Sequence, residues 1–509
     1  MPSVKELLAA GADLTKEDSE LIEKAYYFAE KAHAPQKRFS GEPYFNHVYA
    51  TALNLAKIGM GPNTIIAGLL HDVLEDAEVD QATIKNEFSE EILFLVEGVT
   101  KLGKIRYHGA QRHTKSLQKL FVAMAQDLRV IIIKLADRLH NMQTLEHVPP
   151  EKQKRIALET LEIYAPLAYR LGIRKFTREL EDLAFKYAFP AEYEQTRKLF
   201  REKNKENEKR LQKFAKSTIK TLALGGQTHI RIEFRLKSIY NTFRKLKTHN
   251  MDIEKIYDLS AMRIICPSIT DCYQILGLVH STWRPLPGRI KDYIAFPKPN
   301  EYRSIHTTIF TGDGGILEIQ IRTEEMHREA EFGVASHLIY KGKGKAKTDP
   351  ITWLKSLLPR IPGVVSNTTV SQTPTKYSYS DVPHWIKELA TLQPKDNENE
   401  SFLEHLKIDF FGERIFVFTP KGDVVDLPIG SSPVDFAFAI HSAVGEHMSG
   451  AKVNGKLTGF DTTLQNGDIV EITTKKGARP NRKWLASART TGAKKKILAS
   501  LQRLEQDSK

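Results

Sequence analysis

Cysteine is nearly missing from this sequence: 509 residues contain two, Cys266 and Cys272. That excludes a disulfide framework and a zinc site built on thiolates, and it suits a reducing, cytoplasmic setting. Long apolar runs are missing too. None approaches the ~18 residues a membrane helix needs, so no membrane partner is expected. Met1 to Leu14 places no basic flank ahead of an apolar stretch, which predicts no cleaved secretion signal. Otherwise the composition, 41% hydrophobic and 27% charged, is that of a globular protein. The length predicts about three or four domains.

The net charge of +13 suggests nucleic acid until it is located. Lys475 to Lys509 alone carries a balance of +9, which leaves +4 for everything before it. The basic bias therefore belongs to one end, and a basic surface over the whole molecule is not expected.

Patterning divides the chain. Residues 1–190 read as helical, with apolar positions recurring at three and four over Glu20–His33, Asn46–Ile58, Ile84–Thr100 and Glu151–Leu171. Residues 191–228, highly charged over Tyr193–Thr221, predict solvated connecting helices, with a dedicated binding surface as the lesser reading. From 229 to 345 the pattern becomes mixed α/β. His229–Lys237 alternates, Ala261–Cys266 reads as a strand, and Ser304–Phe310 and Ile316–Ile321 flank a glycine-rich turn at 312–315. Residues 346–410 read as a linker with short helices; within it Trp353-Leu354-Lys355 and Trp385-Ile386-Lys387 resemble each other, too few copies for a repeat. Residues 411–475 predict a small β-rich module with strands at Arg414–Phe418, Asp423–Leu427 and Ile469–Thr474 and a helix at Pro433–Val444. A basic helical tail follows over 476–509.

Two constellations carry chemistry. The first is His47, His71-Asp72 and Asp137, spread over separate helices. Imidazoles and carboxylates are what a divalent metal accepts, and four such ligands leave positions for water and substrate. Glu75 and Asp76 lie one turn beyond the His-Asp pair; Asn141 and Thr144 lie one and two turns beyond Asp137. So many polar groups along apolar helices would be costly to bury without a purpose. The second gathers Arg235, Lys237 and Lys245, then Asp258 and Arg263, then Arg289-Ile290-Lys291-Asp292, then Lys298, Asn300, Tyr302 and His306, then Glu318 and Gln320. Cations for a triphosphate, two carboxylates for magnesium and an aromatic ring for a base suit phosphoryl-type transfer.

The strings His71-Asp72-Val73-Leu74-Glu75-Asp76 and Ala136-Asp137-Arg138-Leu139-His140-Asn141-Met142, with Lys37 to Tyr44 ahead of His47, resemble the hydrolase domain of the RelA/SpoT family, an HD-type phosphohydrolase. The resemblance implies that His47, His71, Asp72 and Asp137 bind manganese and that Glu75 and Asp76 position and activate water. It implies that Arg38 and Ser40 meet guanine, and Asn141 and Thr144 the sugar side. The second constellation resembles the family's synthetase domain, related to nucleotidyltransferases. By that likeness Arg235, Lys237, Lys245 and Arg263 face ATP, and Asp258 and Glu318 serve magnesium and catalysis. Lys291, Lys298, Asn300, Tyr302, His306 and Gln320 would hold GDP or GTP, with Tyr302 stacking on guanine. The basic Arg289 to Asp292 string resembles members with both activities. Phe416 to Asp423, Pro433 to Ala437, His441, Val453 to Lys456 and Asn466 to Val470 resemble a TGS domain, in which His441 either meets tRNA or merely caps its helix. The Lys494-Lys495-Lys496 stretch either contacts RNA phosphates or is a solvated face.

The implied fold is multidomain: an all-α HD-type domain, an α/β nucleotidyltransferase-like domain and a small β-grasp-like TGS domain. The implied reactions are removal of the 3′-diphosphate from ppGpp or pppGpp, and transfer of pyrophosphate from ATP to the 3′-hydroxyl of GDP or GTP. Ribosome or tRNA contact would fall to the TGS domain and the tail. Two opposed activities on one chain predict that ligand at one site disfavours the other. One departure stands out. Phe234, Leu236 and Ser238 replace the Gly, Pro and His usual around the first Arg and Lys of the ATP motif, which adds bulk beside the phosphates. Two other readings share these residues: a hydrolase with an impaired synthetase, and an RNA- or ribosome-binding nucleotide sensor without turnover. Long members continue past the point where this sequence stops, with a zinc-finger or related domain and an ACT domain.

Overall fold

The computed structural model describes residues 2–77, 79–103, 127–256, 259–297, 302–312, 315–333 and 414–507. The expected linker over 346–410 lies outside them, as do Asp258, Lys298 and Asn300. The described residues form two compact units, one within Met1–Lys101 and Arg129–Lys347, the other drawn chiefly from Thr348–Lys509. No described helix is long and apolar enough to cross a membrane.

The first unit begins with helices α1 (Val4–Ala10), α2 (Lys16–Ala32), α3 (Phe45–Lys57), α4 (Pro62–Leu70), the single turn α5 (Val73–Asp76), α6 (Gln81–Glu87), α7 (Glu90–Gly103) and α8 (Leu128–Gln143). The helix expected over Ile84–Thr100 is two, because the Ser89 hydroxyl accepts from Ile92 N and starts α7 afresh. Gly68 lets α4 lie close on α3: a Cβ there would meet Leu55 Cδ1 at 2.5 Å. That approach sets His47 of α3 beside His71 at the end of α4. The stretch expected over Glu151–Leu171 is α9 (Pro150–Glu159), a π turn (Thr160–Tyr164) and α10 (Ala165–Arg170). Pro166 has no N–H to return to Glu162, and the wider turn just before it absorbs the misfit.

Next come α11 (Arg174–Ala188) and α12 (Pro190–Leu224). The reading of this charged stretch as solvated connecting helices needs correction. It is one helix whose Phe214, Ala215 and Leu222 are buried in the core of the following domain, while Phe200 packs with Leu246, Ile256 and Leu259. Its apolar stripe is a wall of the mixed α/β domain that follows.

That fold has strands β1 (Arg231–Leu236), β2 (Ser260–Cys266), β3 (Lys291–Asp292), β4 (Ile305–Phe310) and β5 (Ile316–Thr323), with α13 (Ile239–Thr248), α14 (Ile269–Thr282) and α15 (Glu324–Phe332). The sheet order is β1-β2-β5-β4-β3, with β2 and β5 parallel and the other pairs antiparallel. Met262, Ile264, Ile305, Ile309, Leu317, Ile319 and Ile321 turn one face toward α12 and α14. Strand alternation sends Arg263, His306, Glu318 and Gln320 to the other face. Cys266 and Cys272 meet in the core, Sγ to Sγ 3.3 Å, as buried free thiols.

A buried acid joins the two halves of this unit. Glu181 of α11 accepts from Asn241 Nδ2 of α13 at 2.8 Å, and burial pushes its carboxyl up to about 7. A raised folded pKa means the folded state holds the proton more tightly. Its stabilising contribution is complete below the unfolded value near 4.5 and is lost as pH rises through about 7. Glu181→Gln should therefore raise Tm at pH 8 and leave it unchanged at pH 4, read by thermal denaturation at both.

The second unit pairs β6 (Arg414–Phe418) with β7 (Val424–Pro428). After α16 (Pro433–Ile440) and α17 (Ser442–Glu446) come β8 (Met448–Val453), β9 (Lys456–Thr458) and β10 (Val470–Thr474) in the order β10-β8-β9. The expected Pro433–Val444 helix breaks at His441, whose extended backbone starts α17. The hairpin β8–β9 was not foreseen; it turns through Asn454-Gly455, both at positive φ. The tail folds as α18 (Arg482–Ser487) and α19 (Thr491–Asp507). It packs on the module: Trp484, Ala488, Ala493 and Ile497 bury against Val434, Ala437 and Phe438 of α16. Asp435 anchors it, accepting from Arg489 N, Thr490 N and Thr490 Oγ1 while also capping its own helix through Ser432. Losing that carboxylate would take the acceptor from these donors, which are mostly half-buried, at about 0.5–1.5 kcal/mol for each bond. Asp435→Ala should release α18 and α19, seen as rapid limited proteolysis of the tail where wild type resists.

Candidate active sites

In the helical domain the first constellation converges. His47 Nε2 lies 3.2 Å from Asp137 Oδ1 and 3.5 Å from Asp72 Oδ2, and His71 Nε2 lies 3.1 Å from Asp72 Oδ2. Ligand atoms of His47, His71 and Asp137 lie within 4.8 Å of one another. Both histidines are oriented from behind. His71 Nδ1 donates to Gly68 O at 2.8 Å, which leaves Nε2 as a lone pair facing the cluster. His47 Nδ1 lies 2.8 Å from His140 Nδ1. Burial, with His47 and Arg38 nearby, pushes His140 down to about 3, so it is a neutral partner.

Two imidazole nitrogens and two carboxylate oxygens fit a divalent cation, and His71 Nε2 supports that fit directly. It is buried and finds no well-formed hydrogen bond among the described residues, with Asp72 Oδ2 3.1 Å away. Such an orphan costs about 1–3 kcal/mol, which a cation would remove. Electrostatics agree. Burial opposes ionisation of Asp72 and Asp137, yet His71 and His47 beside Asp72, and Lys134 and His47 beside Asp137, hold both carboxyls well below the usual range. Burial would lower His71, but Asp72 and Asp137 raise it to about 9. The cluster without a metal thus draws a proton to where a cation fits.

The surrounding predicted residues assemble in part. Arg38 donates to Asn141 Oδ1 at 2.8 Å and approaches Thr144 Oγ1 at 3.4 Å; Asn141 Nδ2 donates to Asp137 at 2.6 Å. Ser40 lies in the Lys37–Pro43 turn, accepting weakly from Glu42 N. Glu75 and Asp76 are exposed on α5. Sequence reasoning gave Tyr44, Lys134 and His140 no role. Tyr44 OH reaches both Asp72 Oδ2 at 2.9 Å and Asp76 Oδ2 at 2.8 Å, and Lys134 Nζ holds Asp137 Oδ2 at 2.6 Å. Tyr44 and His140 sat inside the recognisable strings, which was the available signal.

The second constellation occupies the polar face of the sheet. Register places Arg235, Ala261, Glu318 and Thr308 in one row, and Glu233, Arg263, Gln320, His306 and Lys291 in the next. His306 Nδ1 lies 2.9 Å from Glu318 Oε1, Gln320 Nε2 donates to the same oxygen at 3.0 Å, and Tyr302 OH lies 2.8 Å from His306 Nε2. Glu318 is thus held by two predicted neighbours. Lys237 directly follows β1, its N–H donating to Leu259 O, and Lys245 is on α13. Phe234 alternates with Arg235, so its ring leaves the opposite face of the sheet. The bulk expected beside the phosphates is therefore not there.

Two residues of this face had no assigned role. Arg322 is 1% exposed; its Nε and Nη2 find no hydrogen-bond partner among the described residues, and Nη2 has only a long ion pair, 3.8 Å, to Glu331 Oε1. Glu331 of α15 pairs with Arg263 at 3.0 Å and with Arg178 of α11 at 2.6 Å. Burial and mutual repulsion lower Arg263 to about 10 and also lower Arg235 and Arg322. A buried surplus of guanidinium over carboxylate is a seat for an anion. In the second unit His441 Nδ1 accepts from Ala443 N at 3.1 Å, capping α17. Lys496 Nζ donates to Phe438 O at 3.3 Å, so that lysine helps to dock α19.

A helical domain with a clustered His/His-Asp/Asp set, joined to a mixed sheet with an arginine-rich polar face, defines a chain carrying an HD-type domain and a mixed α/β domain. Family models agree: the HD domain matches residues 25–174, the region found in RelA/SpoT proteins 234–345, and the TGS domain 415–474. Over 98% of its length the chain is 43% identical to a probable guanosine-3′,5′-bis(diphosphate) 3′-pyrophosphohydrolase of Synechocystis, covering 62% of it. It is 41% identical to such a pyrophosphohydrolase of Borreliella burgdorferi, over 94% of this chain and 67% of that one. It is 40% identical to the bifunctional (p)ppGpp synthase/hydrolase RelA of Mycobacterium tuberculosis, over 97% and 64%. The chain belongs to the RelA/SpoT family. It spans roughly two thirds or less of the length of these relatives.

Proposed function

We propose that this chain both hydrolyses and makes guanosine 3′-diphosphates. The observation that supports the reading is two separate polar clusters, the histidine–aspartate set around His71 and the Glu318–His306–Gln320 array beside buried arginines. In the first, His47, His71, Asp72 and Asp137 would hold manganese, which supplies charge neutralisation and an acidified water. Arg38 and Ser40 would meet the guanine, and Asn141 and Thr144 the sugar. Glu75 and Asp76 would take the proton of water, with Tyr44 fixing the orientation of Asp76. The products are pyrophosphate and GDP or GTP.

In the second site Arg235, Lys237, Lys245 and Arg263 would hold ATP, with Arg322 adding charge under its phosphates. Glu318, steadied by His306 and Gln320, would take the proton from the 3′-hydroxyl of GDP or GTP, and with Asp258 would serve magnesium. Lys291, Lys298, Asn300 and Tyr302 complete the guanine-nucleotide seat. The opposite-face position of Phe234 supports retained synthesis over the impaired-synthetase reading. The protein would work in the cytoplasm, in the starvation response that such nucleotides serve. Contact with tRNA or the ribosome would fall to the TGS domain and α19.

The test is direct. Purified protein is incubated with manganese and ppGpp, and separately with magnesium, ATP and GDP, and the nucleotides are resolved. Turnover in both supports the proposal; turnover in the first alone favours an impaired synthetase; turnover in neither removes it and leaves a nucleotide-sensing RNA binder.

A further inference from the structure

The aromatic ring assigned to the guanine base is covered by a side chain from another domain. Tyr302 is 4% exposed, and the guanidinium of Arg174, first residue of α11, lies over its ring at 4.4 Å from the centroid. Tyr293 and His306 crowd the same ring steeply inclined to it, with centroids 6.1 Å and 5.7 Å away. A purine needs a whole open ring face at van der Waals distance, and a ring this buried offers none. A guanidinium and a base seek the same thing from it, a flat π surface.

Arg174 is held in place rather than passing by. The preceding Gly172 abuts Gly333 at the end of α15: a Cβ on Gly333 would lie 2.3 Å from Leu171 O, and one on Gly172 would lie 3.0 Å from Gly333 Cα. One turn along α11, Arg178 pairs with Glu331 at 2.6 Å, and Glu331 pairs with Arg263 of the ATP set at 3.0 Å. The start of α11 is therefore seated against the transfer domain, and its arginines reach both nucleotide seats. Arg174 itself is half-buried, so a change of rotamer can carry it off the ring while the helix stays.

We propose that Arg174 is a competitor built into the chain for the base platform of Tyr302, so that a guanine nucleoside diphosphate binds only by displacing it. This rests on the reading of Tyr302 as the platform. The ligand's apparent affinity is then reduced by the fraction of molecules in which Arg174 is down. A cation–π contact of this burial implies a penalty of about fivefold.

The test uses the full chain and GDP as probe, by equilibrium dialysis. Tyr302→Leu keeps apolar bulk without an aromatic face, and the GDP binding it removes defines the seat. If it removes none, the platform reading itself fails. Given that seat, Arg174→Ala should tighten GDP about fivefold, and Arg174→Lys should fall between. Unchanged or weaker binding in Arg174→Ala would overturn the proposal. Thermal denaturation separates a purely structural role, in which Arg174→Ala lowers Tm with no gain in affinity.

Discussion

Asp72→Ala is expected to lower pyrophosphate release from ppGpp by about a thousandfold or more, equivalent to about 4 kcal/mol of transition-state stabilisation. Asp72 Oδ2 is the shared atom of the cluster, within 3.5 Å of His47 Nε2 and His71 Nε2 and bonded to Tyr44 OH. Its loss removes a ligand, unsettles the others and frees Tyr44 from one of its two carboxylates. Asp72→Asn preserves shape while removing charge, and should lose almost as much, because neighbouring histidines keep Asp72 ionised. Manganese binding should weaken in parallel, read by titration calorimetry. Chelator treatment of wild type should reproduce the loss, and manganese should restore it. Synthesis from ATP and GDP should be untouched, since the sheet shares none of these groups; loss of both activities would mean misfolding instead.

The second large effect is expected at Glu318. Glu318→Gln should depress synthesis by about a hundredfold to ten-thousandfold, the range for removing a positioned general base, and spare hydrolysis. The amide cannot take a proton, yet it is nearly isosteric, so KM for GDP should change far less than kcat. His306→Ala removes the imidazole that spans Tyr302 OH and Glu318 Oε1. It should fall between wild type and Glu318→Gln. Nucleotide chromatography over a time course reads both. Equal loss in KM and kcat for Glu318→Gln would count against a base and for a binding role.

Much of this was legible in the sequence because short strings carried it. His71-Asp72 with Glu75-Asp76 one turn on, and Asp137 with Asn141 one turn on, are helical spacings that place groups on one face whatever the tertiary fold. Strand alternation likewise put Arg263, Glu318, Gln320 and His306 on one side of the sheet. The charged stretch over Tyr193–Thr221 misled, because charge density hides an apolar stripe when the stripe is narrow. The basic tail is helical as expected, but its charges masked Trp484 and Ile497, which are buried.

What the sequence by itself determined, then, is most of the elements, the residue types along them and the family. Local periodicity and short-range chemistry suffice for that. Only the tertiary structure decided which faces meet. It set His140 behind His47, gave Tyr44 to both Asp72 and Asp76, and laid Arg174 over Tyr302. Most of these are pairings between residues far apart in the chain. They arise because packed cores fix interhelical and helix–sheet distances to within the reach of one side chain, and no periodicity along a sequence encodes such a distance.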